Sequence, residues 1–214
     1  MKHVLEYAGV LLLAMIMSGC AIGNKYKIAD VEPQITSAGN ASVAVASLDK
    51  RSFILDHTSP ITYVGMVRGG YGNPFNATTL SNLPFADAVS KAICQALNRK
   101  GFQAIPVTVQ FEMAKEQATK VLLDKNMDKS ILVVIKAWES DSFYNLNIGY
   151  DFVLKVLDRN GTILATSEAK DKVEIFGNIM TGSLALSKKE VPAIFQKAIA
   201  TLLNDPAVAS ALSG

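Results

Sequence analysis

Several groups of residues have the types that hydrolytic or metal chemistry uses, and their spacing decides how far each goes. Asp56, His57 and Ser59 supply a carboxylate, an imidazole and a hydroxyl within Leu55-Asp56-His57-Thr58-Ser59-Pro60. A Ser/His/Asp relay is defined by spatial roles, which near-consecutive turn residues rarely fill, so this segment is expected to be a solvent-exposed turn. Ser47-Leu48-Asp49-Lys50 and Ser167-Glu168-Ala169-Lys170 both match the S-x-x-K nucleophile pattern, but the companion S-D-N and K-T-G elements do not occur in the chain. Glu139 and Asp141 are spaced to point the same way and to share a proton or a cation, yet a third ligand at useful spacing is lacking, which favours a solvated strand end. Cys94 has no thiolate-stabilising neighbour beyond Lys91 and reads as a quiet thiol, and Trp138 reads as packing. No catalytic residue, cofactor or metal site is expected.

The most unusual segment is Arg68-Gly69-Gly70-Tyr71-Gly72-Asn73-Pro74-Phe75, which follows an expected strand. Its glycines fit neither phosphate-loop spacing. Two readings stand side by side. In one, Arg68, Tyr71, Asn73 and Phe75 form a partner-binding loop, with rigid aromatic contact area and a guanidinium fork for a carboxylate or phosphate. In the other, the glycines serve positive-φ turns and the aromatics tuck onto the core.

A further chemical group is Cys20. Lys2 and His3 precede an apolar run from Val10 to Met17, followed by Ser18-Gly19 and the cysteine, the layout of a secretory signal. The uncharged stretch is shorter than the roughly 20 residues of a spanning helix, which makes a permanent transmembrane anchor the weaker alternative. Met17-Ser18-Gly19-Cys20 resembles the lipobox of bacterial lipoproteins; an ordinary secretory signal with an incidental cysteine is the competing reading. The resemblance implies cleavage before Cys20, a diacylglycerol (palmitate-type) anchor on its sulfur and an acylated amino group. Ala21, rather than Asp, then implies the outer membrane, with the domain on its periplasmic face. With Cys20 lipidated, Cys94 has no partner for a disulfide.

The elements that position these residues follow from periodicity. Residues 1–19 are expected as the signal peptide, and 20–40, polar and broken by Pro33 and Gly39, as the lipidated N-terminus and tether. A single domain is expected over 41–214. Val43 to Leu48 and Ile61 to Val67 read as strands, with loop from Gly69 to Asn82. Phe85, Val89, Ile93 and Leu97 recur every four residues up to Gly101, marking a helix. Gln103 to Val109 reads as a strand, Phe111 to Leu122 as a helix, and Ile131 to Ile135 as a strand buried on both faces. From Tyr144 to Val156 the even positions are apolar, which gives a long strand with one face on the core. Asn160-Gly161 turns it into a second arm, Thr162 to Phe176, and Val191 to Leu202, with Pro192 near its start, closes the chain as a helix.

The order is β-β-α-β-α-β-β-β-α: an α/β chain of α+β type, with a mixed, mostly antiparallel sheet and helices mainly on one face. Lipobox, tether, Val43-Ala44-Val45 leading to Asp49 and Arg51, the helix ending at Gly101-Phe102, the strand near Val133, Tyr144-Asn145, Asn160-Gly161 and the helix from Val191 together resemble the YajG-like family of small bacterial lipoproteins. That family has no assigned reaction, so the resemblance implies fold and place. Lys+Arg (21) and Asp+Glu (19) nearly cancel, so no basic footprint for nucleic acid exists. The expected function is a non-enzymatic binding or adaptor module for an envelope protein or lipid; the alternative is a carrier of a small apolar ligand such as a lipid or cell-wall fragment.

The alternation generates a test. Phe152→Asp buries a carboxylate at a cost of several kcal/mol, whereas Asn147→Asp keeps it in water. Thermal denaturation should separate the two variants widely, and equal melting temperatures would reverse the face assignment.

Overall fold

The apolar run Ile131–Ile135 lies inside a 14-residue strand, Lys129–Ser142, which organises the whole sheet. The computed structural model describes residues 24–69, 71–177 and 183–214. In chain order the elements are β1 (Lys25–Tyr26), β2 (Ser42–Asp49), α1 (Ser52–Leu55), β3 (Tyr63–Arg68), β4 (Pro74–Thr79), α2 (Phe85–Asn98), β5 (Gln103–Pro106), α3 (Lys115–Leu123), β6 (Lys129–Ser142), β7 (Leu146–Asp158), β8 (Ile163–Ile175), α4 (Ser183–Leu203) and α5 (Pro206–Ser213).

Along one edge β6 pairs in parallel first with β2, Val43↔Lys129 through Asp49↔Ile135, and then with β3, Met66↔Asp141 and Val67↔Ser142. Along its other edge it runs antiparallel to β7 over its full length, and β8 continues antiparallel beyond β7. β5 extends β2 in parallel, β4 is antiparallel to β3, and β1 is parallel to β4. The result is a mixed eight-stranded sheet whose longest ladders are antiparallel.

A register shift between Ile135 and Ala137 changes which side chains of β6 face inward. Before it, Ile131, Val133 and Ile135 face the layer formed by α2, α4 and α5, while Leu132 and Val134 face α3. After it, Trp138 takes the inward position, and Glu139 points to solvent. The main core thus holds Val89, Ile93, Phe152, Phe195 and Ile199, and a smaller one under Ala118 and Leu122 of α3 covers the opposite face of β2 and β6.

One residue ties these layers at a single point. Arg51, immediately before α1, has a side chain that is 0% exposed and pairs with Asp49 at 2.7 Å. It donates from Nε to Asp49 Oδ1 (2.9 Å), from Nη2 to Asp49 Oδ2 (2.7 Å) and from Nη1 to the carbonyls of Tyr63 (2.9 Å) and Trp138 (3.4 Å). The guanidinium carbon lies 4.5 Å from the centroid of the Phe85 ring and 5.0 Å from that of Phe53.

Four expectations are corrected. Residues 24–40 are not a free tether: Tyr26, Ile28, Ala29, Val31 and Ile35 are buried in the main core, so the fold begins well before Ala41. The stretch read as loop from Gly69 to Asn82 contains β4, whose Ala77 and Thr79 face inward. The last long helix begins at Ser183, with Pro192 inside it, because Leu186, Ser187 and Val191 already pack inward upstream of the proline. A further helix, α5, follows it, its Asp205 cap accepting from the backbone of Ala207 and Val208. The Asn160-Gly161 turn forms as expected: Gly161 takes φ 85°. The backbone amides of Thr162 and then of Asn160 hold the Asp158 carboxyl below its ordinary pKa.

Replacing Arg51 by Leu leaves the Asp49 carboxylate buried without its partner. The expected loss is about 3–5 kcal/mol in urea denaturation; a loss below about 1 kcal/mol, the size of an exposed pair, would show that the clamp is not a desolvated one.

Candidate functional site

The segment singled out for contact is the tip of the β3–β4 hairpin. Tyr63↔Thr78 to Arg68↔Pro74 set its register, and the loop is closed by Gly69 N–H donating to Asn73 O (2.9 Å) and Gly72 N–H to Gly69 O (2.8 Å). Gly72 has φ 82°, a left-handed turn position. A side chain on Gly69 would meet Asn73 Oδ1 at 2.9 Å and Phe75 Cε2 at 3.1 Å, so Asn73 and Phe75 close over that glycine. Phe75 is half-buried there, outside the main core, and Tyr71 projects wholly into solvent at 103% exposure.

Arg68 is committed within the molecule. It donates from Nε to Asp141 Oδ1 (2.9 Å) and from Nη2 to Oδ2 (2.6 Å), so the fork expected for a ligand carboxylate or phosphate is held by β6. The positive-φ turn expected of the glycines is present at Gly72, whereas the aromatics expected on the core lie outside it. The aromatics do not plug the core, and the arginine braces the loop while Tyr71 and Asn73 stay exposed.

Sequence reasoning missed the rest of this end of the sheet. The β6–β7 connection places Phe143 and Tyr144 beside each other, ring centroids 4.1 Å apart, and Gly72 faces the Phe143 ring. Asn145 donates to Glu174 Oε1 (2.9 Å), and Gly177 N–H donates to Asn145 Oδ1 (3.4 Å), bringing the end of β8 alongside. Tyr144 is 71% and Phe176 77% exposed. Tyr144, expected on the core face of the long strand, lies before its start at Leu146 and is exposed, and Phe176, expected to end the second arm, lies just beyond Ile175.

The other sequence candidates do not converge. His57 is exposed at φ 54° and lies edge-on to Phe111 at 5.5 Å. Ser47 Oγ is buried against Ser90 Oγ (2.8 Å), and Ser167 Oγ donates to Leu202 O (3.0 Å). Trp138 donates from Nε1 to Val64 O (3.0 Å) inside the core. Burial pushes the Cys94 thiol up to about 12. Glu139 and Asp141 lie on β6 beside an open groove of about 840 Å³, whose floor is Gly149 and whose far wall carries Lys170 and Lys172. Cys20 lies outside the described residues, as do the signal segment and Gly70.

No family model matches the chain, and no curated protein matches its sequence. Solved structures similar to it include the following three. A Xanthomonas campestris protein of family DUF330 is 16% identical, over 79% of this chain and 87% of that one, with a TM-score of 0.41. PelC from Paraburkholderia phytofirmans, crystallised as a dodecamer, is 10% identical over 81% and 91%, with a TM-score of 0.42. Lipoprotein GNA1162 from Neisseria meningitidis is 14% identical over 73% and 96%, with a TM-score of 0.31. At these scores none of them bears on what this chain does.

The docking of the hairpin on β6 is testable. A Cβ at Gly65 would collide with the hydroxyl and the backbone carbonyl of Ser140, so Gly65→Ala should lower stability by about 1–3 kcal/mol. Tyr71→Ala, by contrast, should stay within about 0.5 kcal/mol of wild type. Urea denaturation of both variants checks the pair; a neutral Gly65→Ala would mean that β3 does not lie this close to β6.

Proposed function

We propose that the chain is a lipid-anchored, non-enzymatic binding module of the bacterial envelope, attached through Cys20 and presenting its hairpin end to another envelope component. The observation that carries this reading is the Met17-Ser18-Gly19-Cys20 lipobox, whose cysteine stands four residues before Asn24, a residue already buried in the domain. The order of elements, which resembles that of YajG-like lipoproteins, supports it, and Ala21 favours the outer membrane. Among the described residues no helix is long and apolar enough to cross a membrane; the acyl chains on Cys20 are the anchor proposed here. Tyr71, Asn73 and Phe75, braced by Arg68–Asp141, form the proposed contact surface. Exposed aromatic side chains on a fixed loop give contact area at small cost in lost side-chain freedom.

A carrier of a small apolar ligand is less well supported. The aromatics that would line its pocket fill the space themselves: Trp138 stacks on Phe85 (5.8 Å) and Tyr150 (6.1 Å) and meets Phe195 edge-on at 5.5 Å.

Intact-mass analysis of the membrane-purified protein, with labelled palmitate fed to the cells, tests the anchor. The wild type should begin at Cys20, carry acyl mass and take up label. Cys20→Ala should take up none and keep residues 1–19. A wild-type chain cleaved at Cys20 but free of acyl mass would sink the proposal.

A further inference from the structure

We infer that the aromatic end of the sheet, with Tyr71, Tyr144 and Phe176 at its rim, is seated in the headgroup region of the bilayer. This inference rests on the lipid-anchor reading and names the partner of the same surface. The first observation is the direction from which the chain reaches the sheet. β1 is parallel to β4, with Lys25 opposite Thr78 and Tyr26 opposite Thr79, and β4 runs away from the hairpin tip, from Pro74 to Thr79. Tracing the chain backward from Lys25 therefore leads toward that tip, and Asn24 O already accepts from Thr78 N–H (2.9 Å).

The second observation is length. Cys20 precedes Asn24 by four residues, which span at most about 14 Å even when extended. The strands set the scale of the domain. From the β6–β7 connection at Tyr144 to the opposite end, where Asn160 sits in the β7–β8 turn, β6 spans about 45 Å at 3.3 Å per residue. An acylated Cys20 is thus bound to the hairpin end of the molecule, and this end lies at the membrane.

The third observation is what that end displays. Tyr71, Phe176 and Tyr144, at 103%, 77% and 71%, are the three most exposed large hydrophobic side chains among the described residues. All three lie at this end, with Leu184 at the start of α4 also exposed. Leu186, two residues further on, lies within contact range of Gly177. Asp141 and Glu174, near the ends of their strands here, are engaged by Arg68 and Asn145. The rim is then aromatic and amphipathic, without unpaired carboxylates from these two positions. Tyrosine and other aromatic side chains are the types that settle at membrane–water boundaries, their rings among acyl carbons and their hydroxyls in the headgroups. Protein-partner contact at this end is the rival, and the measurement separates the two.

The test uses the full chain purified from membranes and reconstituted into vesicles of phosphatidylethanolamine and phosphatidylglycerol with brominated acyl chains. An environment-sensitive dye is attached at Tyr71→Cys, Tyr144→Cys, Phe176→Cys and, as the distant control, Asn160→Cys. Cys94, buried and with its thiol pushed up to about 12, does not compete for the dye. Dyes at 71, 144 and 176 should lose roughly half of their emission, as groups seated about 5–10 Å into the boundary do, while the dye at 160 should be unchanged. Quenching at 160 equal to that at 71, or none at any rim position, overturns the inference. The acyl mass of each sample is read separately. Acylated protein with an unquenched rim refutes the seating and leaves the anchor standing; unacylated protein with a quenched rim does the reverse.

Discussion

The fold is organised around a buried guanidinium. A charge with no exposed surface persists only if it is paired with an opposite charge and hydrogen-bonded to its surroundings. Arg51 satisfies this with the Asp49 carboxylate, two backbone carbonyls and two aromatic rings. Those groups come from the end of β2, α1, the start of β3, the second half of β6 and the first turn of α2. None of these elements can slide without exposing an unpaired charge to the core, so the arginine fixes their relative register. Leucine at this position would fill volume without specifying direction. The planar fork specifies both.

Once Arg51 holds Trp138 O, the rest of β6 follows. The strand must leave β2 and continue beside β3, and the irregularity between Ile135 and Ala137 performs that change. It turns Trp138 inward onto Phe85, Tyr150 and Phe195 and turns Glu139 outward. The first half of the strand is accordingly covered on both faces. The second half leaves one face open, where Gly149 forms the floor of the charged groove. Arg68 and Asp141 repeat the pairing on a smaller scale at the strand's end. Being about a third exposed, that pair positions the hairpin more than it stabilises the domain.

How much of this was legible depended on whether a residue's setting is local. The periodicity of Phe85-Val89-Ile93-Leu97 and the alternation from Tyr144 to Val156 are local, and the helix formed where expected, as did the strand and its buried face from Leu146 onward, Tyr144 itself being exposed. The mixed sheet with helices mainly on one face was legible as well, α3 alone of the longer helices lying on the other. What failed was long-range. Residues 24–40 look like linker because Ile28, Val31 and Ile35 are spaced irregularly, and their burial is set by surfaces built elsewhere in the chain. Pro74-Phe75-Asn76-Ala77 looks like loop because it begins with proline, yet a short strand tolerates proline at its first position. The site divides in the same way. Tyr71 and Asn73 were legible as exposed loop residues, but the commitment of Arg68 depends on Asp141, 73 residues away. The joining of Phe143, Tyr144 and Phe176 into one rim needs two chain connections to end at the same level.

The correction of the tether alters the mechanics of the proposed anchor. A free segment from 20 to 40 would let the domain wander over roughly 25 Å from the bilayer, by the scaling of flexible chains. With Lys25 and Tyr26 in the sheet and Ile28, Val31 and Ile35 packed on the core, that freedom is largely removed, and under the proposed anchor the domain's orientation becomes a property of the fold. The faces of the sheet then stand beside the membrane rather than against it. The groove around Gly149 lies on such a lateral face, reachable from the aqueous compartment by a partner that never touches lipid. Under that proposal, anchoring falls on a different surface from the groove, and changes at Tyr71 need not alter the groove at Gly149.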